Sequence, residues 1–464
     1  MKKNFIYLTM FLFVMLSCNK SEVVPLFEES ANKRVTTTLD GYKKQLVGAE
    51  NGWRGEYYPD GGKTGGYSFY LKFDANGKVL MYSDIDNRNY AGGGGSYFIN
   101  GYDKSFETTY QVKTLQKPAL VFDSYSYLHE LVNPDYNGGT GQLADLELTF
   151  STSTENKITL VGTINKTQMI LTKITKIESD LLAKGGLGNI FNSTLGYLNT
   201  DKFLTLVFPT GEKTDVNLDF GAKTVSLYSI NNKTGDIDIT SSQFVTTVTG
   251  LQLKTPITLY GISFQEMLWD SVLKVYYINS GGRRINFVQS SKPGLPFYYA
   301  LGSIFEGFYM NPTIPSQSAE YKALYARIKS NVIALSTVAP ARVIGDVYLR
   351  YLTSTGDFVL VVDYKRTDAT GAIVFDGAGV LYYEPALDAR GNITFKRLTT
   401  TGTLFYNTNE LIPGISGIVA TGIKPLTDIL ETNTFTWDYD PIETRIAVLK
   451  SNGTPSITIK GALF

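Results

Sequence analysis

A hairpin pattern that occurs three times constrains this chain more than any other feature. Tyr67, Phe69, Leu71 and Phe73 alternate along one run, Asp74-Ala75-Asn76-Gly77 supplies a turn, and Val79 to Tyr82 begins the return. Phe203 to Phe208 leads through Pro209-Thr210-Gly211-Glu212 into Val216, Leu218 and Phe220, and Val347, Leu349 and Tyr351 lead through Ser354-Thr355-Gly356-Asp357 into Phe358, Leu360 and Val362. A period of two places alternate side chains on one face of a strand, and the Gly-bearing turns return the chain antiparallel to itself. The expectation is a mainly β (α+β) protein of two or three related antiparallel-sheet units.

Two helices accompany the hairpins. Val35, Leu39, Tyr42, Leu46 and Ala49 form one apolar stripe at helical period, closed by Asn51-Gly52, and Tyr321, Leu324, Tyr325, Ile328 and Val332 form a second. The first and third units are therefore each expected to be preceded by an amphipathic helix. Ala119 to Asp123 resembles Gly402 to Tyr406, and Leu146 to Val161 resembles Thr434 to Val448, at a spacing of about 145 residues, a domain length that suggests duplication. Breakers at Ala183-Lys184-Gly185-Gly186 and across Ser291 to Pro315 divide the chain into 31–184, a central β unit with its aromatic Gly/Pro linker at 185–315, and 316–464.

The N-terminus reads as an export signal. Lys2 and Lys3 precede an apolar run from Phe5 to Leu16, and Leu16-Ser17-Cys18 ends it. Cys18 is the one cysteine in 464 residues. The expectation is that residues 1–17 are removed, that Cys18 carries lipid, and that 18–30 is a polar tether. Multiple acyl chains on one residue anchor stably at about 0.8 kcal/mol per buried methylene. The mature chain of 447 residues would then hold no cysteine for disulfides or metal, and its 41 basic and 43 acidic side chains offer no phosphate-neutralising field. Nucleic-acid binding is set aside.

Catalytic chemistry has few candidates. His129 is the only histidine and lies in an aromatic-rich segment, so His-based triads and multi-histidine zinc sites are not expected. Carboxylate pairs at Asp84/Asp86 and Asp438/Asp440 would suffice for a glycoside hydrolase, and Asp84, Asp86 and Asn87 resemble part of a calcium loop, but Arg88 follows and the glycine and distal Glu of an EF-hand are missing. The glycine clusters at 61–62, 65–66, 92–95 and 138–139 match no phosphate-cradling motif and read as loops. No catalytic residue, metal or cofactor is expected. The aromatics are the remaining hint. Trp53, Tyr57, Tyr58, Trp269, Phe297, Tyr298, Tyr299 and Tyr309 are the candidates for stacking on a sugar or a partner.

The lipobox at Cys18, Asn51-Gly52-Trp53 followed by Tyr57-Tyr58-Pro59, Gly65-Gly66-Tyr67 into Leu71-Lys72-Phe73, and Phe122-Asp123-Ser124-Tyr125 with His129 and Pro134 resemble a family of Bacteroides-type outer-membrane lipoproteins. The resemblance covers about residues 30–175, with Ser124-Tyr125-Ser126 where Thr-Tyr-Asn is usual. It implies an outer-membrane location and gene clusters shared with starch-utilisation-type importers and a zinc-metallopeptidase-type lipoprotein. It implies no activity and no catalytic residue. After Cys18 stands Ser21-Glu22 rather than the acidic run of surface export, so the membrane face stays open. The expected function is non-catalytic binding or scaffolding of a glycan, peptide or partner protein beside a nutrient importer. The alternatives are a carboxylate-based glycosidase and a cell-surface adhesion or assembly protein.

Overall fold

The computed structural model describes residues 29–59, 63, 65–85, 104–134, 139, 141–200, 202–231, 234–335, 342–388, 390–398, 404–407, 410–411 and 420–464. Cys18 and most of the tether, Asp86, Asn87 and Gly92 to Gly95 lie outside them.

The first unit opens with α1 (Ala31–Val47) and continues through β1 (Trp53–Tyr57), β2 (Tyr67–Phe73), β3 (Lys78–Ser83), β4 (Phe106–Thr114), β5 (Pro118–Phe122), α2 (Tyr127–Val132), β6 (Glu147–Ser153), β7 (Lys157–Gly162) and β8 (Gln168–Lys173). Each strand pairs antiparallel with the next and β8 returns to β1, closing an eight-stranded barrel. Closure leaves no unpaired edge strand, which an open sheet of this length would have to protect. Tyr67, Phe69, Leu71 and Phe73 all point into its core, as their alternation requires. Only the last turns of α1 pack: Leu46 is buried and Tyr42 stacks on Phe150 at 3.9 Å, whereas Val35 is exposed.

Two helices follow, α3 (Lys176–Ala183) and α4 (Gly186–Leu198). The Ala183 to Tyr197 stretch is thus mostly helix rather than a breaker. Gly185 takes a left-handed φ of 76° as the cap of α4, and Leu187, Ile190 and Phe191 bury the helix. The second unit runs β9 (Phe203–Val207), β10 (Lys213–Asp219), β11 (Thr224–Ile230), β12 (Ile237–Thr247), β13 (Gly250–Leu259), β14 (Ile262–Asp270), β15 (Val275–Ser280) and β16 (Arg283–Ser290), and β16 pairs with β9 to close a second barrel.

The third unit contains α5 (Phe297–Ala300), β17 (Gly307–Tyr309), α6 (Ala319–Leu335), β18 (Arg342–Leu352), β19 (Asp357–Thr367), β20 (Ile373–Leu387), β21 (Ile393–Arg397), β22 (Leu404–Asn407), β23 (Glu410–Leu411), α7 (Lys424–Thr432), β24 (Thr434–Tyr439), β25 (Ile446–Ser451) and β26 (Thr458–Leu463). Its eight-membered ring follows chain order from β17 to β21, then β24 to β26 and back to β17, with the β22–β23 hairpin appended to β20. The molecule is three eight-stranded antiparallel barrels.

Three sequence expectations are corrected here. Helix α6 follows the third barrel's first strand instead of preceding the unit, although Tyr321, Ile328 and Val332 bury as their stripe predicts. Residues 297–310 are not a linker: Phe297, Phe305, Phe308 and Met310 belong to the third barrel's core, so the chain crosses between barrels near 291–296. The duplication pairs β6–β7 with β24–β25 as expected, but β22 lies outside the ring, so by position β21 matches β5.

Candidate functional site

The first and second barrels meet in a seam that accounts for the Gly65-Gly66 motif. A Cβ on Gly66 would stand 2.7 Å from Val245 and 2.3 Å from the Tyr58 ring, and one on Gly65 would stand 2.6 Å from Lys223, so only glycine permits this approach. Asp84, 1% exposed, accepts the Ser68 N–H at 2.7 Å, the Thr246 N–H at 2.9 Å and the Lys223 ammonium at 2.8 Å. Such a fully paired buried carboxylate is structural, and it removes Asp84 from the catalytic candidates. Asp440 is bound likewise. It accepts the Ile442 and Glu443 N–H groups at 2.9 and 2.8 Å and pairs with Lys460 at 2.5 Å. Burial opposes its charge, but these donors hold the carboxyl below its usual range.

His129 caps a helix. The backbone N–H of Ser126 donates to its Nδ1 at 3.1 Å, the ring stacks on Tyr125, and burial lowers its pKa. Its Nδ1 lone pair is therefore committed to α2. Among the described residues, no three His, Cys, Asp or Glu gather as a metal site.

The aromatic candidates separate by burial. Trp53 and Tyr57 are 0% exposed: the Trp53 indole donates to Leu46 O at 2.9 Å, and the Tyr57 hydroxyl bonds to Thr167 and accepts the Asp145 N–H. Burial pushes the Tyr57 phenol up to about 12. Neither has a free face, and the same holds for Phe297, buried between Trp437 and Tyr439 at 5.2 Å from each. Tyr58 is wedged in the seam, with the Lys254 ammonium 5.3 Å from its ring. Trp269 packs edge-on against Tyr197 and Tyr276 at the margin of the second core. Tyr309 lies on the outer face of the third barrel against Tyr348 and Phe464. Tyr298, like Tyr309 at 37%, keeps an exposed face. It is 43% exposed and braced by Tyr299 at 5.5 Å and Trp437 at 6.0 Å.

Local chemistry explains that bracing. Pro296 precedes the short helix α5 and helps turn the chain into the third barrel, Phe297 anchors inward, and Tyr298 next to it faces out. Trp437 is locked by its indole N–H donating to Gly391 O at 3.0 Å. Beside this platform lies a 430 Å³ cleft between the second and third barrels, with Val207, Val288, Leu295 and Pro296 as apolar wall and Lys213, Lys292 and Asp438 as polar groups. Pro296 stands two residues before Tyr298, and Asp438 is the neighbour of Trp437.

The wall is held by Asp215. This buried carboxylate accepts the Gly294 N–H at 2.7 Å, the Leu295 N–H at 2.8 Å and the Thr205 hydroxyl at 3.0 Å, and burial, outweighing these donors, raises its pKa. The Tyr439 hydroxyl donates to Leu295 O at 3.2 Å from the other barrel. Sequence reasoning missed Asp215, Lys213, Lys292 and the bracing by Trp437, because none lies in a local motif and all depend on contacts between units. A larger groove of 730 Å³ on the first barrel, lined by Lys117, Glu147, Thr149, Thr163 and Lys166, has only Phe150 as an aromatic, and that ring is buried.

The domain of unknown function DUF4302 matches residues 25–271, more than half of the chain. The chain belongs to the DUF4302 family. Its match spans the whole first barrel and continues through β14, so the Asp84 seam lies inside the family's domain. No curated protein matches. A solved structure titled as the crystal structure of lipopolysaccharide binding protein aligns over 93% of this chain and 96% of its own at 8% identity, with a TM-score of 0.14, which carries no argument about fold or function.

Proposed function

We propose that this DUF4302 protein is a lipid-anchored accessory protein of a Bacteroides-type outer membrane, working beside a starch-utilisation-type nutrient importer as a non-catalytic glycan-binding component. The observation that carries the binding reading is Tyr298, an exposed ring braced by two aromatics and standing two residues after Pro296 of the inter-barrel cleft wall. A flat aromatic face offers apolar contact to the C–H face of a sugar, and clefts between domains are common ligand sites. The commitment of Asp84 and Asp440 to ion pairs supports binding over carboxylate-based hydrolysis.

The test is titration of the purified mature chain against immobilised glycans. Tyr298→Ala should weaken the captured ligand by about 1–3 kcal/mol while circular dichroism stays unchanged. Hydrolysis of a bound glycan, or affinity indifferent to Tyr298, refutes the reading. The anchor is tested separately: Cys18→Ala should move the protein from the membrane fraction to the soluble one, and continued pelleting with membranes counts against lipidation.

A further inference from the structure

We infer that the ligand of the inter-barrel cleft is an anionic sugar, one bearing carboxylate or sulfate groups; this rests on the glycan-binding reading and specifies its chemistry. Lys213 and Lys292 both line the cleft and both are exposed, and neither ammonium has a carboxylate partner among the described residues. Elsewhere in the chain several lysines are neutralised by a carboxylate, among them Lys78 by Glu107, Lys176 by Asp180, Lys424 by Asp428 and Lys460 by Asp440. Two exposed cations thus share one concave surface with a single lining carboxylate.

The cleft's one lining carboxylate is Asp438. Its Oδ1 already accepts the Tyr439 N–H at 2.7 Å, which leaves Oδ2 to accept a sugar hydroxyl. The lining side chains thus sum to one positive charge, with the buried Asp215 carboxyl behind the Gly294–Leu295 wall.

The apolar surface between the two cations fits the same ligand. Lys213 pairs across the ladder with Val207, and Val207 and Val288 stand 38% and 46% exposed on the outer face of the second barrel, where an antiparallel barrel normally places polar side chains. Two lysines beside an apolar wall match a ring that presents C–H bonds on its faces and anionic groups on its edge. An acidic peptide would satisfy the lysines but would leave the exposed Tyr298 face without its stacking partner.

The experiment compares trigalacturonate, a sulfated and uronate-free galactose trisaccharide, neutral galactotriose and a glutamate-rich peptide of equal charge, each by calorimetry at low and at physiological salt. At low salt at least one anionic trisaccharide should bind about tenfold or more tighter than the neutral one, and salt should erase most of that margin, since an exposed charge contact is screened over about 8–10 Å. Lys213→Gln and Lys292→Gln should each reduce anionic-sugar affinity by roughly three- to tenfold and leave galactotriose unchanged, whereas Tyr298→Ala should weaken every sugar alike. Preference for the carboxylated or the sulfated arm identifies the source of the charge. Equal, Tyr298-dependent binding of neutral and anionic sugars overturns this inference and spares glycan binding; binding of none overturns both. Peptide binding as tight as that of the anionic sugars, lost with the two lysines, overturns the sugar assignment.

Discussion

Asp84 shows how one residue can carry identical sequence context and opposite roles. Asp84-Ile85-Asp86-Asn87 reads first as a solvated turn and only weakly as a catalytic pair or a calcium fragment, and what gives Asp84 its place is Lys223, which is 139 residues away and stands over the Tyr67 ring at 4.4 Å. A buried ion pair gains little against a well-packed apolar substitute, because two charges must be desolvated, but loss of one partner strands the other. Lys223→Met should therefore destabilise the chain by about 3–5 kcal/mol, and Asp84→Asn combined with Lys223→Met should cost clearly less than the two changes summed. Urea denaturation of the four proteins checks this, and additive losses would mean that the pair is not coupled. His129 was more legible. Its isolation among aromatics pointed to a structural role, and its Nδ1 capping α2 supplies one.

At the level of elements, alternation predicted the hairpins because inward and outward side chains differ in polarity along most strands. β3, with its burial alternating from Lys78 to Ser83, is the plain case. Where the outer face of a strand is also covered, that signal fails. In β2, Tyr70 points away from the barrel core and is still 1% exposed, because it joins Leu187, Phe191 and Val248 in the cluster between barrels. Its hydroxyl accepts the Val248 N–H at 3.2 Å, and burial holds the phenol protonated far above its usual range. The same limitation hid α4. Gly185-Gly186 reads as a breaker, yet Gly185 is the left-handed cap that starts the helix, and the signal for helix lies in burial on two barrels. The 297–310 segment was legible as aromatic and broken. That it closes the third barrel was not, since β17 is only three residues long and pairs with β18 and β26, the latter about 150 residues further on.

For the whole molecule, the consequential contact is the one at which the second barrel hands the chain to the third. Asp215 receives two consecutive N–H groups from Gly294 and Leu295, so a single side chain of β10 fixes the direction in which the strap leaves the second barrel. Hydrogen bonds to a charged acceptor contribute about 1.5–3 kcal/mol each, and truncation leaves both donors without partners. Asp215→Ala should accordingly loosen the strap and not merely lower stability. The raised pKa adds a sign. A carboxyl whose folded pKa exceeds its unfolded value favours the protonated form in the fold, so its contribution is greatest below the unfolded pKa and is lost as pH rises through the folded one. Asp215→Asn, neutral and keeping an acceptor for one of the two N–H groups, should be tolerated better than Asp215→Ala, which keeps none, and should flatten the pH dependence of stability across that window. Small-angle scattering should show a larger radius for Asp215→Ala at neutral pH, with new proteolytic cleavage in 291–296, while the Asn variant keeps the parent's dimensions. The Ala variant should also lose affinity for any ligand held at Tyr298, because Leu295 and Pro296 form one wall of the cleft although Asp215 does not line it. Unchanged dimensions together with unchanged binding in Asp215→Ala would show that the Tyr439–Leu295 bond and the aromatic packing around Phe297 hold the two barrels together without it.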